Sequence, residues 1–89
     1  MSDFTYVMPA ELTIYEVGET FQELKLSLLE HDCVNMDCGA IEELDTAGFQ
    51  LLIWFLRYQE SAGRAAELLH PSKVVSEQLA LFGLTEPSR

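Results

Sequence analysis

The chain has 89 residues, 48% of them hydrophobic and 22% charged, which suits one globular domain with one core. Five Lys and Arg against fifteen Asp and Glu give a net charge of −10. A field of that sign repels phosphate backbones and anionic lipids, so nucleic acids and membranes are poor candidate ligands.

The domain layout and location are expected to be simple. We expect a single domain over residues 1–89, with its core from about 4 to 84 and a flexible tail over 85–89. The first residues lack the basic and apolar stretches of a signal peptide, and no apolar run approaches the ~20 residues of a membrane span. We therefore expect a cytoplasmic protein without direct membrane insertion.

The amino-terminal third predicts a strand and then a helix. Phe4 to Met8 is rich in aromatic and β-branched residues and stops at Pro9, as an edge strand would. From Thr13, apolar residues recur every three or four positions, which lines one face of a helix. Thr13 and Glu16 fit a capping box at its start. The apolar face consists of Ile14, Val17, Phe21, Leu24 and Leu28.

A short buried strand is predicted from Cys33 to Asp37, closed by a turn at Gly39. Asp37 would lie at the carboxyl end of this strand. Cys33 and Cys38 would lie on opposite faces and roughly 16 Å apart, too far for a disulfide. Their spacing also fits no redox or metal motif.

The strongest helical pattern runs from Thr46 to Ala62, with Asp45 as its N-cap and Gly63 at its end in the left-handed conformation. On a helical wheel, the core-facing arc holds Leu51, Leu52, Phe55, Tyr58 and Ala62, and the polar arc holds Gln50, Arg57, Glu60 and Ser61. Ile53 falls inside the polar arc, with Phe49 and Trp54 on its borders. Exposed apolar side chains there suggest a docking face, although a neighbouring element could cover them instead.

The carboxyl-terminal third predicts a strand and a helix. Ala65 to Leu69 has room only for a strand between Gly63 and Pro71. The last helix would begin after Ser72 and end at Gly83, with Leu84 making a hydrophobic contact. Its core face holds Val75, Leu79 and Phe82. The alternating order predicts an α/β fold, a small mixed β-sheet covered by about three helices, with its site at strand carboxyl ends.

The loop Glu42 to Gly48 carries the main functional candidate. Thr46 would be the first helical residue, with its hydroxyl pointing outward where free N–H groups and the helix dipole stabilise a phosphoryl group. New charge beside Glu42, Glu43 and Asp45 would alter any interface built there. An Asp-Thr pair at a helix start can also be explained by capping alone.

The sequence resembles the STAS domain family from about Ala10 to Leu84. This family includes bacterial anti-sigma factor antagonists and small subunits of lipid-trafficking ABC transporters. The specific part of the likeness is Asp45-Thr46-Ala47-Gly48-Phe49, which matches an Asp-Ser/Thr-x-Gly-Leu core with Thr for the usual Ser and Phe for Leu. Weaker matches are Ala10-Glu11-Leu12-Thr13, Val34-Asn35-Met36-Asp37, Ala62-Gly63-Arg64, His70-Pro71-Ser72 and Leu81-Phe82-Gly83-Leu84.

The resemblance implies a signal-transduction protein that binds partners. A partner kinase would phosphorylate Thr46, and the unphosphorylated form would bind that partner; in some members a threonine here serves as a contact only. The implied partner-binding residues are Asp45, Thr46, Ala47, Gly48, Phe49, Gln50, Ile53 and Trp54. Expected partners are an anti-sigma-type kinase, a chemotaxis-type signalling protein or a transporter ATPase. The alternative function is a non-catalytic STAS subunit that binds and regulates the ATPase of an ABC-type lipid transporter.

An enzyme is the least supported interpretation. Thr46 has only carboxylates beside it in sequence, and no glycine-rich phosphate loop is present. His31 and His70 have no second ligand at a metal-compatible spacing. We therefore expect no catalytic residue, no metal and no cofactor. Homodimerisation through Phe49, Ile53 and Trp54 stays open, because the same residues would serve a different partner equally well.

Overall fold

The computed structural model describes residues 3–83, in which strands alternate with helices. The strands are β1 (Asp3–Val7), β2 (Glu11–Leu12), β3 (Cys33–Asp37), β4 (Glu43–Leu44) and β5 (Leu68–Leu69). The helices are α1 (Val17–Glu30), α2 (Thr46–Ser61) and α3 (Lys73–Leu81). The predicted contact of Leu84 and the predicted tail over 85–89 lie outside the described residues.

A three-stranded parallel sheet in the order β1–β3–β5 forms the centre of the fold. β1 and β3 pair along their whole length, from Asp3 opposite Cys33 to Val7 opposite Asp37. β2 and β4 form a separate parallel pair. The predicted α/β class with three helices and an edge position for β1 is confirmed. The described strands pair in parallel only, rather than as the mixed sheet that we expected, because helical crossovers return the chain in the same direction.

One face of the central sheet carries its apolar side chains. Val34 and Met36 of β3 are fully buried there, and their register partners Phe4 and Tyr6 of β1 are half-buried beside them. Tyr6 donates its hydroxyl to the carboxylate of Glu23 on α1, so this face lies under the helices. Side chains alternate along a strand, and the opposite face of β1 is exposed. Its residues are Asp3, Thr5 and Val7.

Gln59 of α2 completes the hydrogen bonding of the central strand. Its side chain is fully buried; Oε1 accepts from the Val34 N–H at 2.8 Å, and Nε2 donates to the Val34 carbonyl oxygen at 2.9 Å. Two residues along, the Met36 N–H donates to the carbonyl oxygen of Glu67. The carboxamide of Gln59 therefore occupies the place of a peptide group of the neighbouring strand. This explains why β5 is 2 residues long and does not begin at Ala65 as predicted.

The helix α1 begins at Val17, about one turn later than the predicted start at Thr13. Residues 13–16 form a turn in which the N–H groups of Glu16 and Val17 both donate to the Thr13 carbonyl oxygen. The Glu16 carboxylate accepts from the Thr13 N–H at 2.9 Å, which is one half of the predicted capping box. The other half does not form, because the Thr13 hydroxyl donates to the same carboxylate and the N-cap of α1 is Glu16. Because Ile14 lies in this turn, it is 59% exposed instead of facing the core.

The other two helices begin as predicted. α2 starts at Thr46 and is followed by Gly63 with φ 80°, a left-handed conformation that glycine adopts without strain. α3 follows Ser72, although the hydroxyl of this residue makes no capping hydrogen bond. Gly83, with φ 71°, follows the end of α3. None of the helices within residues 3–83 combines the length and apolar character needed to cross a membrane.

The buried face of α2 differs from the predicted arc. It consists of Gly48, Phe49, Leu52, Phe55, Leu56 and Gln59. Tyr58, which we placed in the core, is 49% exposed, and Ala62 is exposed as well. A helical wheel based on hydropathy places a glutamine outside, whereas the pairing of Gln59 with Val34 brings this side of the helix into the core.

Both cysteines, Cys33 and Cys38, are free and buried. Burial raises the pKa of the Cys38 thiol to about 12. The Cys33 thiol donates to the Asp3 carboxylate at 3.2 Å, and burial followed by this hydrogen bond raises its pKa. Both thiols are therefore held in the neutral form inside the core.

Candidate functional site

The carboxylate of Asp45 fixes the loop that leads into α2. Its Oδ1 accepts a hydrogen bond from the Gly48 N–H at 2.8 Å, which confirms the predicted N-cap. Its Oδ2 accepts from the Ile14 N–H at 2.9 Å, in the turn before α1. The hydrogen bond from Gly48 and then that from Ile14 lower the pKa of the Asp45 carboxyl. One ionised side chain therefore joins the beginnings of two helices.

Gly48 allows α2 to lie directly against β2. A Cβ atom at this position would lie 2.0 Å from the carbonyl oxygen of Leu12 and 3.0 Å from Cδ1 of Leu44. Leu12 and Leu44 are themselves register partners in the β2–β4 pair. Packing at Gly48 and capping at Asp45 therefore give both residues a structural role that involves no partner.

Thr46 is the first residue of α2, and its side chain is exposed. The unpaired N–H groups of the first turn and the helix dipole place positive partial charge at this end. The exposed residues Glu42 and Glu43 shortly precede it, and Glu16 interacts electrostatically with Asp45 nearby. Thr46 thus lies between a helix end that favours an anion and carboxylates that repel one.

An open groove of about 1020 Å³ extends from Thr46 along α2. Most of its lining is apolar, with side chains from α1, from α2 and from the residue that follows α3. The lining residues are Val17, Gly18, Phe21, Thr46, Ala47, Phe49, Gln50, Leu51, Ile53, Trp54, Arg57 and Phe82.

A second depression, of about 330 Å³, continues this groove toward the carboxyl end of α2. The two depressions share Phe21 and Trp54, whose rings meet edge to face with centroids 5.5 Å apart. Trp54 also stacks on Tyr58 at 5.3 Å. The contact between the Phe21 and Trp54 rings forms the common border of the two depressions, which both lie along α1 and α2. We refer to both together as the α1–α2 groove.

The apolar residues expected to form a docking face are not equally accessible. Phe49 is only 5% exposed because its ring stacks on Phe82, with centroids 5.2 Å apart, so its predicted exposure was wrong. Ile53 is half-buried, whereas Trp54 is 50% exposed. A neighbouring element thus covers Phe49, and Trp54 supplies most of the accessible apolar surface of this trio.

Six of the eight residues predicted to bind a partner line the α1–α2 groove, namely Thr46, Ala47, Phe49, Gln50, Ile53 and Trp54. Asp45 and Gly48 instead hold the loop and the helix in place. Sequence reasoning missed Phe21, Arg57 and Phe82, because it assigned them to core or polar faces of separate helices. Only the packing of the three helices brings these side chains to one groove.

The histidines lie apart from this groove. His31 stacks on Phe4 with ring centroids 4.6 Å apart, and His70 is exposed with φ 51°. Within residues 3–83, no three His, Cys, Asp or Glu side chains come together as a group that could hold a metal ion. The chemistry available at the groove is an apolar surface, the exposed hydroxyl of Thr46 and the basic side chains of Lys25, Arg57 and Arg64.

No protein-family model matches this chain, and no curated protein or solved structure is significantly similar to it. The likeness to the STAS family described above therefore stays a prediction.

Proposed function

We propose that this chain is a cytoplasmic, protein-binding regulatory domain of the anti-sigma-factor-antagonist type. Its partner docks on the amino end of α2 and the α1–α2 groove. The observation that carries the proposal is the position of Thr46, whose exposed hydroxyl lies on the rim of an apolar groove. A modification there changes the charge and shape of the docking surface without entering the core.

The lining of the groove supports a protein partner. Trp54, half-exposed and flanked by Phe21 and Tyr58, offers the large aromatic area that dominates many protein interfaces. Arg57 lies on the same helix and adds a second residue type that is enriched at such interfaces. The first depression is wide open to solvent, which suits a protein surface better than a small molecule that must be enclosed.

Phosphorylation of Thr46 would act as the regulatory step. The partner kinase transfers the γ-phosphoryl group of ATP to Thr46 Oγ1: a phosphate ester bond forms, the β–γ anhydride bond breaks, ADP leaves and the hydroxyl proton is released. The product carries about −1.5 to −2 charges at neutral pH. The helix dipole stabilises such a charge by about 0.3–1 kcal/mol, so the fold is retained.

The phosphate on Thr46 would change the binding of the partner and not the fold of this chain. Glu42 and Glu43 already make this end of α2 acidic, and the added charge repels any acidic group that the partner places there. The phosphoryl group also adds bulk at the rim of the groove. In this proposal, the unphosphorylated form therefore binds the partner and the phosphorylated form releases it.

Phosphate mapping tests the proposal. The purified chain is incubated with ATP, Mg²⁺ and an extract of its source cells, and its mass and fragments are then measured. We expect one phosphate on Thr46, none on Thr46→Ala, and an unchanged phosphate on the control Thr5→Ala, which removes an exposed threonine of β1. A phosphate at another residue would contradict the proposal, as would the absence of phosphate together with unchanged partner binding by Thr46→Ala. Binding to an ABC-type ATPase that tolerates Thr46→Glu would establish the transporter-subunit alternative instead.

A further inference from the structure

Every charged side chain that lines the α1–α2 groove, within residues 3–83, is basic. Arg57 lines the first depression, and Lys25 and Arg64 line the second. The whole chain has five Lys and Arg against fifteen Asp and Glu, so three of its five basic residues lie on this one surface. The charge of the groove lining is therefore opposite to the net charge of −10 of the protein.

The aromatic pair at the border of the two depressions has a basic side chain next to each ring. Lys25 Nζ lies 5.3 Å from the centroid of the Phe21 ring. Arg57 follows Trp54 by three positions, so these two side chains are neighbours on the surface of α2. Because the Phe21 and Trp54 centroids are 5.5 Å apart, one apolar surface carries a cation from each of two helices.

Lys25 and Arg57 are the cations that a bound carboxylate can reach. Both side chains are exposed. The residues three and four positions away from Lys25 on α1 are all uncharged, and the acidic residue at that spacing from Arg57, Glu60, does not line the groove. Arg64 is half-buried and already donates from Nη1 to the Asp32 carbonyl oxygen at 2.8 Å, so fewer of its donors are left for a partner.

The net charge of the chain restricts where an acidic partner can dock. A protein with a charge of −10 repels acidic groups over most of its surface, and like charges placed together weaken an interface strongly. At the groove, a carboxylate meets Lys25 or Arg57 instead, next to apolar side chains that lower the local dielectric constant and strengthen the attraction. The same acidic group is thus attracted at this surface and repelled elsewhere, which fixes its docking position.

We infer that the α1–α2 groove binds an acidic segment of the partner protein. An apolar side chain of this segment packs on Phe21 and Trp54, and its carboxylates pair with Lys25 and Arg57. The inference rests on the proposed function and adds the chemistry of the bound segment. It also agrees with the direction of the proposed switch: Thr46 lines the same groove, so a phosphate there repels an occupant that is itself acidic.

A second copy of this chain and an anionic membrane fit the same surface less well. Two copies that each carry a charge of −10 repel one another. Anionic lipids are attracted by clusters of about four to eight basic residues, whereas three line this groove, and a membrane surface would also face the acidic surroundings. A segment of a partner protein enters the groove without facing the rest of the acidic surface.

Selection from a library of short random peptides tests the inference. The purified chain is immobilised, and the displayed peptides that it retains are sequenced. The net charge of −10 alone would enrich basic peptides. We expect the opposite result: Asp and Glu are enriched about twofold or more over the starting library, together with an aromatic or aliphatic residue, and Lys and Arg are depleted.

Matched variants locate the binding surface. The affinity of the most enriched peptide without tryptophan is measured from the emission of Trp54, the only tryptophan of the chain, which is 50% exposed and shifts to the blue when it is covered. We expect Lys25→Gln and Arg57→Gln each to weaken this affinity by about threefold. Lys73→Gln removes the same charge from α3 outside the groove and should leave the affinity unchanged.

Several outcomes would overturn the inference. Enrichment of basic peptides, no enrichment at all, peptide binding without a blue shift, or an equal loss of affinity in Lys73→Gln would each do so. A blue shift with phosphatidylglycerol vesicles but not with peptide would point to lipid, and a dimer in sedimentation that peptide does not dissociate would point to a second copy.

This result is separable from the test of Thr46. If acidic peptides bind and depend on Lys25 and Arg57 but no phosphate forms on Thr46, the docking surface stands and the regulatory step falls. If phosphate on Thr46 controls binding of the partner but the selected peptides are not acidic, the regulatory step stands and the acidic segment falls.

Discussion

Asp45 accepts a hydrogen bond from the N–H of Ile14 at 2.9 Å, although the two residues are 31 positions apart in the sequence. The same carboxylate caps α2 through Gly48. The turn before α1 and the first turn of α2 are therefore held together at the end of the α1–α2 groove where Thr46 lies. The shape of the candidate site depends on one ionised group.

The stability of the protein should depend on pH through Asp45. Its folded-state pKa is lowered, so its contribution to stability is present above the unfolded pKa of about 4 and is lost as pH falls through the folded value. The difference in the free energy of unfolding between the wild type and Asp45→Asn should therefore be largest near neutral pH and smaller in acid. Urea unfolding at several pH values measures this.

A control separates the hydrogen bonds of Asp45 from its charge. Glu43→Gln removes one negative charge from an exposed residue of β4 and should change stability at neutral pH by less than about 0.5 kcal/mol. A difference between the wild type and Asp45→Asn that stays constant with pH would contradict the role given to the Asp45 carboxylate.

Gly48→Ala should destabilise the fold. The added Cβ would overlap the Leu12 carbonyl oxygen, and main-chain atoms cannot move aside as a flexible side chain can. We expect a loss of about 3 kcal/mol in the free energy of unfolding. Gly18→Ala is the matched control: nothing lies within 4 Å of its Cβ in α1, so it should stabilise by about 0.5–1 kcal/mol. Equal effects of the two substitutions would show that α2 does not lie against β2 as described.

Elements that are set by interactions between residues close in the sequence could be predicted, and elements that depend on distant residues could not. The three helices, β3 and the Asp45 cap could be predicted because periodicity, capping residues and Gly63 are local signals. β2 and β4 were missed because each is 2 residues long and exists only through pairing with the other. The true length of β5 could not be predicted either, because it depends on the side chain of Gln59.

Only part of the candidate site could be predicted, because the rest depends on contacts between residues that are far apart in the sequence. Its α2 residues follow from one motif and one helical face. The prediction that Phe49 is exposed was wrong because Phe82, 33 positions away in the sequence, covers its ring. Phe21 and Arg57 join the groove only after α1 and α2 have packed together, and no spacing within either helix encodes that contact.

Gln59→Leu should be strongly destabilising despite its similar size. It would leave the N–H and carbonyl groups of Val34 unpaired in a part of the core where Gln59 has no solvent exposure. We expect a loss of about 2–4 kcal/mol, measured by urea unfolding. Gln22→Leu, at an exposed position of α1, should change stability by less than about 0.5 kcal/mol. A change below about 1 kcal/mol for Gln59→Leu would argue against the proposal that the Gln59 side chain replaces the hydrogen bonds of a neighbouring strand.

Trp54→Ala should weaken partner binding far more than it weakens the fold. We expect a loss of about 2 kcal/mol or more in binding free energy, because a half-exposed tryptophan in an apolar groove is typical of an interface hot spot. Calorimetric titration with the purified partner gives the affinity, and circular dichroism checks the fold. Leu26→Ala removes an apolar residue of α1 that is 62% exposed and outside the groove, so it should leave the affinity unchanged. If the Leu26 variant lost as much affinity, the docking surface would lie elsewhere.

The most direct test compares the affinity of the purified partner for the wild type, Thr46→Glu and Thr5→Glu. Both variants add one negative charge at an exposed threonine, but only Thr46 lies on the rim of the α1–α2 groove. The proposal predicts that Thr46→Glu weakens binding by about tenfold or more while Thr5→Glu binds like the wild type. Equal affinities of all three proteins, or equal losses in the two variants, would contradict a docking surface that is regulated at Thr46.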